Sequence, residues 1–246
     1  MPRAVTLSRW QLSLFLECPR CFWFVNRHKV KLPKSLPFAL NNAIDGLLKI
    51  EFDQHRAAGT LPRIFSSLQG QAKLFTDTGK LEIWRNNFQG LRWTDPSSKH
   101  TLFGAVDDVL EFLDGSVAVV DYKSTGSASP TIYPSYQLQM DVYTYLLRQL
   151  GYRTAPKSYF AFFVVVKDDG FRGRLPFREH LIEVTPQPER VPALFAQAIA
   201  LALEDQMPTK GVECDLCRWY GEATQKMEAK QIVERISEPF MTDLFS

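Results

Sequence analysis

Apolar residues recur at helical spacing near the start of the chain. Trp10, Leu14 and Phe15 follow Ser8, a residue suited to capping, and predict a helix from about Leu7 to Val25. Pro33 and Pro37 in KLPKSLP end that pattern. A second helical stretch runs from about Asn41 to Ala58, with Ile44, Leu47, Leu48 and Phe52 on its apolar side and Gly59 closing it. From Gly70 to Pro96 neither periodicity prevails. The pattern then changes. Residues 101–112 (TLFGAVDDVLEF) and 117–123 (VAVVDYK) predict two strands around the turn signal Asp114-Gly115. A helix from about Ser135 to Leu150 ends at Gly151. A strongly apolar strand follows at Tyr159–Lys167, then a turn at Asp169-Gly170 and a late amphipathic helix over Pro188–Gln206. Beyond it lies a polar C-terminal segment. The order of helix, hairpin, helix and strand implies an α/β core with a mixed sheet.

Composition changes this picture little. At 246 residues, 45% hydrophobic and 23% charged, the chain has the make-up of a soluble globular protein. No repeat or linker divides it, so a single domain is expected: a core over about 40–185, with cysteine-bearing end segments over about 1–30 and 207–246. A net charge of +2 neither requires nor excludes a nucleic-acid partner. No run approaches the roughly 20 apolar residues of a membrane helix, and the opening residues lack the apolar centre of a secretory signal. A reducing, cytoplasmic setting is therefore expected, in which the four cysteines read as metal ligands or buried thiols before disulfides.

The phase of the hairpin makes the chemistry specific. Side chains alternate across a strand, so Asp121 and Lys123 emerge on one face. Alone, such a pair is commonly a surface ion pair of little consequence. With a three-residue turn at Leu113-Asp114-Gly115, Phe112 pairs with Ser116, and counting back sets Asp107 opposite Asp121. A two-residue turn would bring Asp108 to that face instead. Carboxylates gathered on an apolar ribbon repel one another and lose hydration unless a cation neutralises them, and oxygen ligands suit magnesium or manganese. A neighbouring lysine can polarise an attacking water or stabilise charge growing on phosphorus.

These residues carry a resemblance. Gly104-Ala105-Val106-Asp107, then Val119-Val120-Asp121-Tyr122-Lys123-Ser124, then Gln139 and Tyr143 four residues apart, resemble in order and spacing the GxxD, (D/E)xK and QxxxY elements of the RecB-like PD-(D/E)xK nucleases. The likeness is close over roughly residues 100–150 and looser in the flanks. It implies a restriction-endonuclease-like fold, a central mixed sheet flanked by helices. It also implies Asp107, Asp121, Lys123, Gln139 and Tyr143 as the catalytic set, with Mg or Mn bound by Asp107 and Asp121. An upstream helix in the family often adds a metal-side residue, usually histidine or an acid. Asp45 falls at that position here, with Glu51 and His55 as competitors.

Cys18-Pro19-Arg20-Cys21 and Cys214-Asp215-Leu216-Cys217 are two C-x-x-C pairs near opposite ends of the chain, enough for one tetrahedral site. Several RecB-like nucleases, including AddB-type and CRISPR-associated exonucleases, join their ends through four cysteines and a 4Fe-4S cluster, one cysteine coming from the N-terminal side and three from the C-terminal side. The two-and-two arrangement departs from that pattern. The resemblance favours the cluster slightly and leaves zinc as the close alternative. Either metal would join the two ends of the chain. Arg20, Arg27, Lys29, Lys31, Lys34 and Arg218, with Trp23 and Trp219, are candidate contacts for DNA. The function implied is a metal-dependent deoxyribonuclease, an exonuclease on DNA ends or single strands in repair, recombination or CRISPR-type processing. Absence of a G-x-x-x-x-G-K-[ST] loop leaves ATP-driven unwinding to a partner such as a helicase. The competing expectation is a non-catalytic DNA-binding or assembly module with the same fold and metal site.

Overall fold

The computed structural model describes residues 4–33, 39–168 and 170–237, with side chains to residue 228. Lys34, Pro37 and Asp169, all singled out above, lie outside the described residues. In chain order the elements are β1 (Thr6–Ser8), α1 (Arg9–Glu17), α2 (Pro19–Arg27), α3 (Ala39–Ala58), β2 (Ala72–Leu74), α4 (Thr78–Arg85), β3 (Leu91–Thr94) and β4 (Thr101–Gly104). They continue with β5 (Asp108–Phe112), β6 (Val117–Thr125), α5 (Pro134–Gln149), β7 (Ser158–Val165), β8 (Phe177–Val184), α6 (Val191–Leu203) and α7 (Asp215–Ser237). Among the described residues no helix is long and apolar enough to cross a membrane.

Two sheets form, and helices flank them. The larger runs β2-β5-β6-β7-β8, antiparallel except where β6 and β7 lie parallel across the α5 crossover. The smaller runs β1-β4-β3, with β1 parallel to β4. This is the mixed sheet the pattern predicts. Alternation along the central strands divides the interior between two cores. Val109, Val117, Val119, Phe160 and Phe162 pack with α5, α6 and the N-terminal helices. Leu110, Ala118, Val120, Tyr159, Ala161 and Phe163 pack on the other side with Leu48 and Phe52 of α3.

Several expected elements differ in extent. The first helix is two, because Cys18 is extended (φ −153°) ahead of Pro19, which cannot follow a helical residue comfortably but serves well at the start of α2. Ser8 does cap α1, in a reciprocal pair with Gln11. On α3 the buried stripe includes Leu48 and Phe52, whereas Leu47 is 65% exposed, contrary to the apolar side expected for it. The stretch 101–112 is also divided. After Gly104 the chain leaves the small sheet, and β5 starts in the large one at Asp108. The pattern did not assign β8, a half-covered edge strand in which polar and apolar residues do not alternate cleanly, or α7, a polar helix that meets one core only through Leu216 and Cys217 among the described residues.

Candidate active site

The β5–β6 hairpin sets the register of the site. Phe112 donates its N–H to the carbonyl of Ser116 at 2.8 Å, and Gly115 takes the left-handed conformation (φ +78°) of a three-residue turn. Asp108 pairs with Val120, so Asp107, one residue earlier, falls opposite Asp121. Asp107 accepts the Tyr122 N–H at 2.9 Å, which ties its carboxylate to the edge of β6. Its other oxygen stands 3.3 Å from Nζ of Lys49. Lys49 also donates to Asp45, four residues earlier on α3, at 2.7 Å.

Asp121 is 2% exposed and receives bonds from two neighbours. Nε2 of Gln139 donates at 2.5 Å to one oxygen, and the ammonium of Lys123 pairs with the other. Gln139 also donates to the hydroxyl of Tyr143 at 3.2 Å. The four-residue spacing on α5 thus gives one side chain that reaches the carboxylate and a second that fixes the first. Nζ of Lys123 lies 4.9 Å from the ring centre of Tyr136 and 5.7 Å from that of Phe160. Gly104 makes room for this helix face. A Cβ there would stand 2.5 Å from the Tyr143 ring.

Burial pushes the Asp121 carboxyl up to about 7, the charge of Asp107 adds to the rise, and Lys123 opposes it. Burial works against the Lys123 ammonium, but Asp121 beside it outweighs that and raises its pKa. Lys49 behaves in the same way, held charged by Asp107 and Asp45 against the cost of burial. Burial also raises the Tyr143 hydroxyl. A buried acid beside a second acid is a place where a cation is wanted, and the oxygen-only donors Asp107 and Asp121 fit a hard divalent ion. Asp45 reaches the pair through Lys49.

Asp108, the alternative ligand, faces the opposite side of the hairpin. Nη2 of Arg56 donates to both its oxygens at 2.8 and 2.7 Å, Arg85 donates at 2.9 Å, and the Tyr122 hydroxyl donates at 2.6 Å. Arg85 also bonds the carbonyl oxygen of Asp107 at 2.7 Å. Two adjacent acids therefore serve opposite faces, one open to the site and one neutralised beneath it. Of the competitors to Asp45, Glu51 is exposed, and His55 bonds Thr60 at 2.8 Å at the far end of α3.

Lys49, Arg9, Arg56 and Arg85 were not anticipated. Lys49 had a legible signal, the four-residue spacing from Asp45 on a predicted helix. The arginines had none, because the site residues they reach lie far off in the chain: Arg56 is 52 residues from Asp108, and Arg85 is 22 from Asp107. The charge of Arg9 is felt by both Asp121 and Tyr143, and its Nε is buried with no hydrogen-bond partner.

Several proposed DNA contacts are otherwise engaged. Arg20 donates to the carbonyl of Pro208 at 3.1 Å, Arg27 pairs with Asp205, and Arg218 pairs with Asp215. Trp23 is buried and donates to the carbonyl of Glu204 at 2.8 Å, whereas Trp219 is 67% exposed. Lys29 and Lys31 are exposed. The four cysteines, from both ends of the chain, converge. Their sulfurs all lie within 4.8 Å of one another, the only such group of three or more metal-ligating side chains among the described residues. The main-chain N–H groups of Gly211 and Cys21 point at Sγ of Cys18 at 3.2 and 3.5 Å. Burial opposes ionisation of Cys18, but these donors outweigh it and bring the thiol down to about 7.

A family model described as the PD-(D/E)XK nuclease superfamily matches residues 6–221. Among solved structures, one described as the crystal structure of SSO0001 is 14% identical, over 82% of this chain and 78% of that one, with a TM-score of 0.36. No curated protein matches the chain.

Proposed function

The chain belongs to the PD-(D/E)XK nuclease superfamily, and from that premise we propose that it hydrolyses DNA phosphodiester bonds with magnesium or manganese held by Asp107 and Asp121. The observation that carries this reading is the almost fully buried Asp121, with Asp107 opposite it and Lys123 on its own face. Asp45, linked to Asp107 through Lys49, is the further metal-side acid. When bound, the ion supplies Lewis-acid chemistry, drawing charge from the phosphoryl group under attack. Lys123 holds an ammonium beside the reacting phosphate and stabilises the negative charge that grows there. Gln139 and Tyr143 act at one remove. Gln139 fixes the orientation of the Asp121 carboxylate and Tyr143 fixes Gln139, so that the carboxylate is held in one orientation without a search of rotamers.

The order of GxxD, DxK and QxxxY elements supports a RecB-like enzyme that acts as an exonuclease on DNA ends or single strands. Repair, recombination or CRISPR-type processing are the settings this suits, in the cytoplasm and with any unwinding supplied by a partner helicase. The test is cleavage of end-labelled single- and double-stranded DNA with manganese. Lys123→Ala should lose on the order of a hundredfold in rate or more, and the product ladder of the parent protein reports polarity. Equal rates in parent and variant would overturn the assignment.

A further inference from the structure

The resemblance to several RecB-like nucleases slightly favours a 4Fe-4S cluster at the four cysteines, and the geometry of this quartet does not fit one. In a cubane each thiolate caps its own iron, and the four irons between them spread the sulfurs to roughly 6 Å apart. Here Cys18 and Cys217 are 3.7 Å apart, Cys21 and Cys214 3.6 Å, Cys21 and Cys217 3.6 Å, and no pair exceeds 4.8 Å. A single zinc ion with Zn–S bonds of about 2.3 Å in a tetrahedron sets its sulfurs about 3.8 Å apart. The geometry points to a mononuclear zinc site, Cys18, Cys21, Cys214 and Cys217, in place of the cluster.

The surroundings agree with four thiolates around one dication. Each C-x-x-C pair sits at the start of a helix: Cys18 caps α2, and Cys214 stands immediately before α7. Both helix N-termini therefore turn their positive ends toward the sulfurs. Neighbouring N–H groups from Gly211 and Cys21 reach the Cys18 sulfur, the hydrogen bonds by which thiolate charge is spread in a tetrahedral thiolate site. The two-and-two distribution also gives each chain end a complete chelating pair. A one-and-three arrangement does not.

The test is the composition of the intact protein, purified both in air and without oxygen. About one zinc per chain is expected, with no acid-labile sulfide and no visible sulfur-to-iron absorption in either preparation. Zinc should be released on titration of the thiols with a mercurial. Iron with labile sulfide in the anaerobic preparation would overturn the proposal. So would a single iron without sulfide, or protein that is metal-free after growth with ample zinc. The double variant Cys214→Ser/Cys217→Ser should lose the zinc. Should it fail to fold, cobalt exchanged into the parent protein replaces it as the readout: intense tetrahedral thiolate bands are expected, and weak octahedral ones would overturn the assignment. None of these measurements depends on DNA cleavage, so the zinc site stands or falls separately from the nuclease reading.

Discussion

At the level of single residues, Asp121 is where burial and charge come closest to balance. Its carboxyl titrates near 7 when folded against 3.8 when unfolded. The folded metal-free state therefore binds the extra proton. The resulting stability is full below 3.8 and is lost as pH rises through about 7. A divalent ion bound there must expel that proton. Manganese affinity, measured by calorimetry, should thus strengthen as pH rises through about 7 and level off above it, with an observed heat that varies with the ionisation enthalpy of the buffer because a proton is released. A flat profile would sink this account, and Asp121→Asn should abolish both affinity and slope. Lys49 competes for the same negative charge, since it neutralises Asp45 and Asp107 in the absence of an ion. Lys49→Met should tighten manganese binding by several-fold, and unchanged or weaker binding would show that this ammonium is not a competitor. The motif residues were readable because each is part of a local pattern: a strand with period two, a helix with spacing four. Arg9 was not, because nothing near it in sequence hints that it reaches Asp121.

At the level of elements, the Asp107-Asp108 pair joins a reactive face to a supporting one. Gly104 lets the chain pass close to Tyr143, and the three residues after it carry the backbone from the small sheet to the large. Arg85 then holds the carbonyl of Asp107 while Arg85 and Arg56 neutralise Asp108, which is completely buried. Breaking one partner of such a pair leaves an uncompensated buried charge. Arg56→Met should cost roughly 3–5 kcal/mol in urea unfolding, whereas Asp53→Ala, at an exposed partner of the same arginines, should cost about 1 kcal/mol or less. Similar losses in the two variants would mean that the network is not what anchors the hairpin. Turn chemistry narrowed the hairpin register to two choices, and the three-residue turn with Gly115 left-handed decides between them. Other elements were not: one hydrophobic run concealed a change of sheet at Gly104, and one helical period concealed the break at Pro19. The half-polar edge strand β8 shows no clean alternation, because only part of its length is covered.

At the level of the whole molecule, the C-terminal segment is tied to the N-terminal helices more than to the sheets. The segment from Glu204 to Pro208 is held by Trp23, Arg27 and Arg20, all on α2. Beyond it, α7 meets the core through Cys214, Leu216 and Cys217, while Trp219, Tyr220 and Met227 are exposed. Hydrophobic burial alone therefore gives α7 little reason to stay in place, and the cysteine site supplies most of its attachment. The central strands have a different source of stability, two apolar cores to which no side chain of α7 beyond Cys217 contributes among the described residues. Removing the cysteine-bound metal should accordingly uncouple the two. Hydrogen exchange followed by mass spectrometry is expected to show amides over 204–237 losing protection in stripped protein, with those of β5, β6 and α5 nearly unchanged. If the central strands loosened together with α7, the metal would be a condition of folding for the entire chain, and the picture of a separately stable core fastened at its ends would fail.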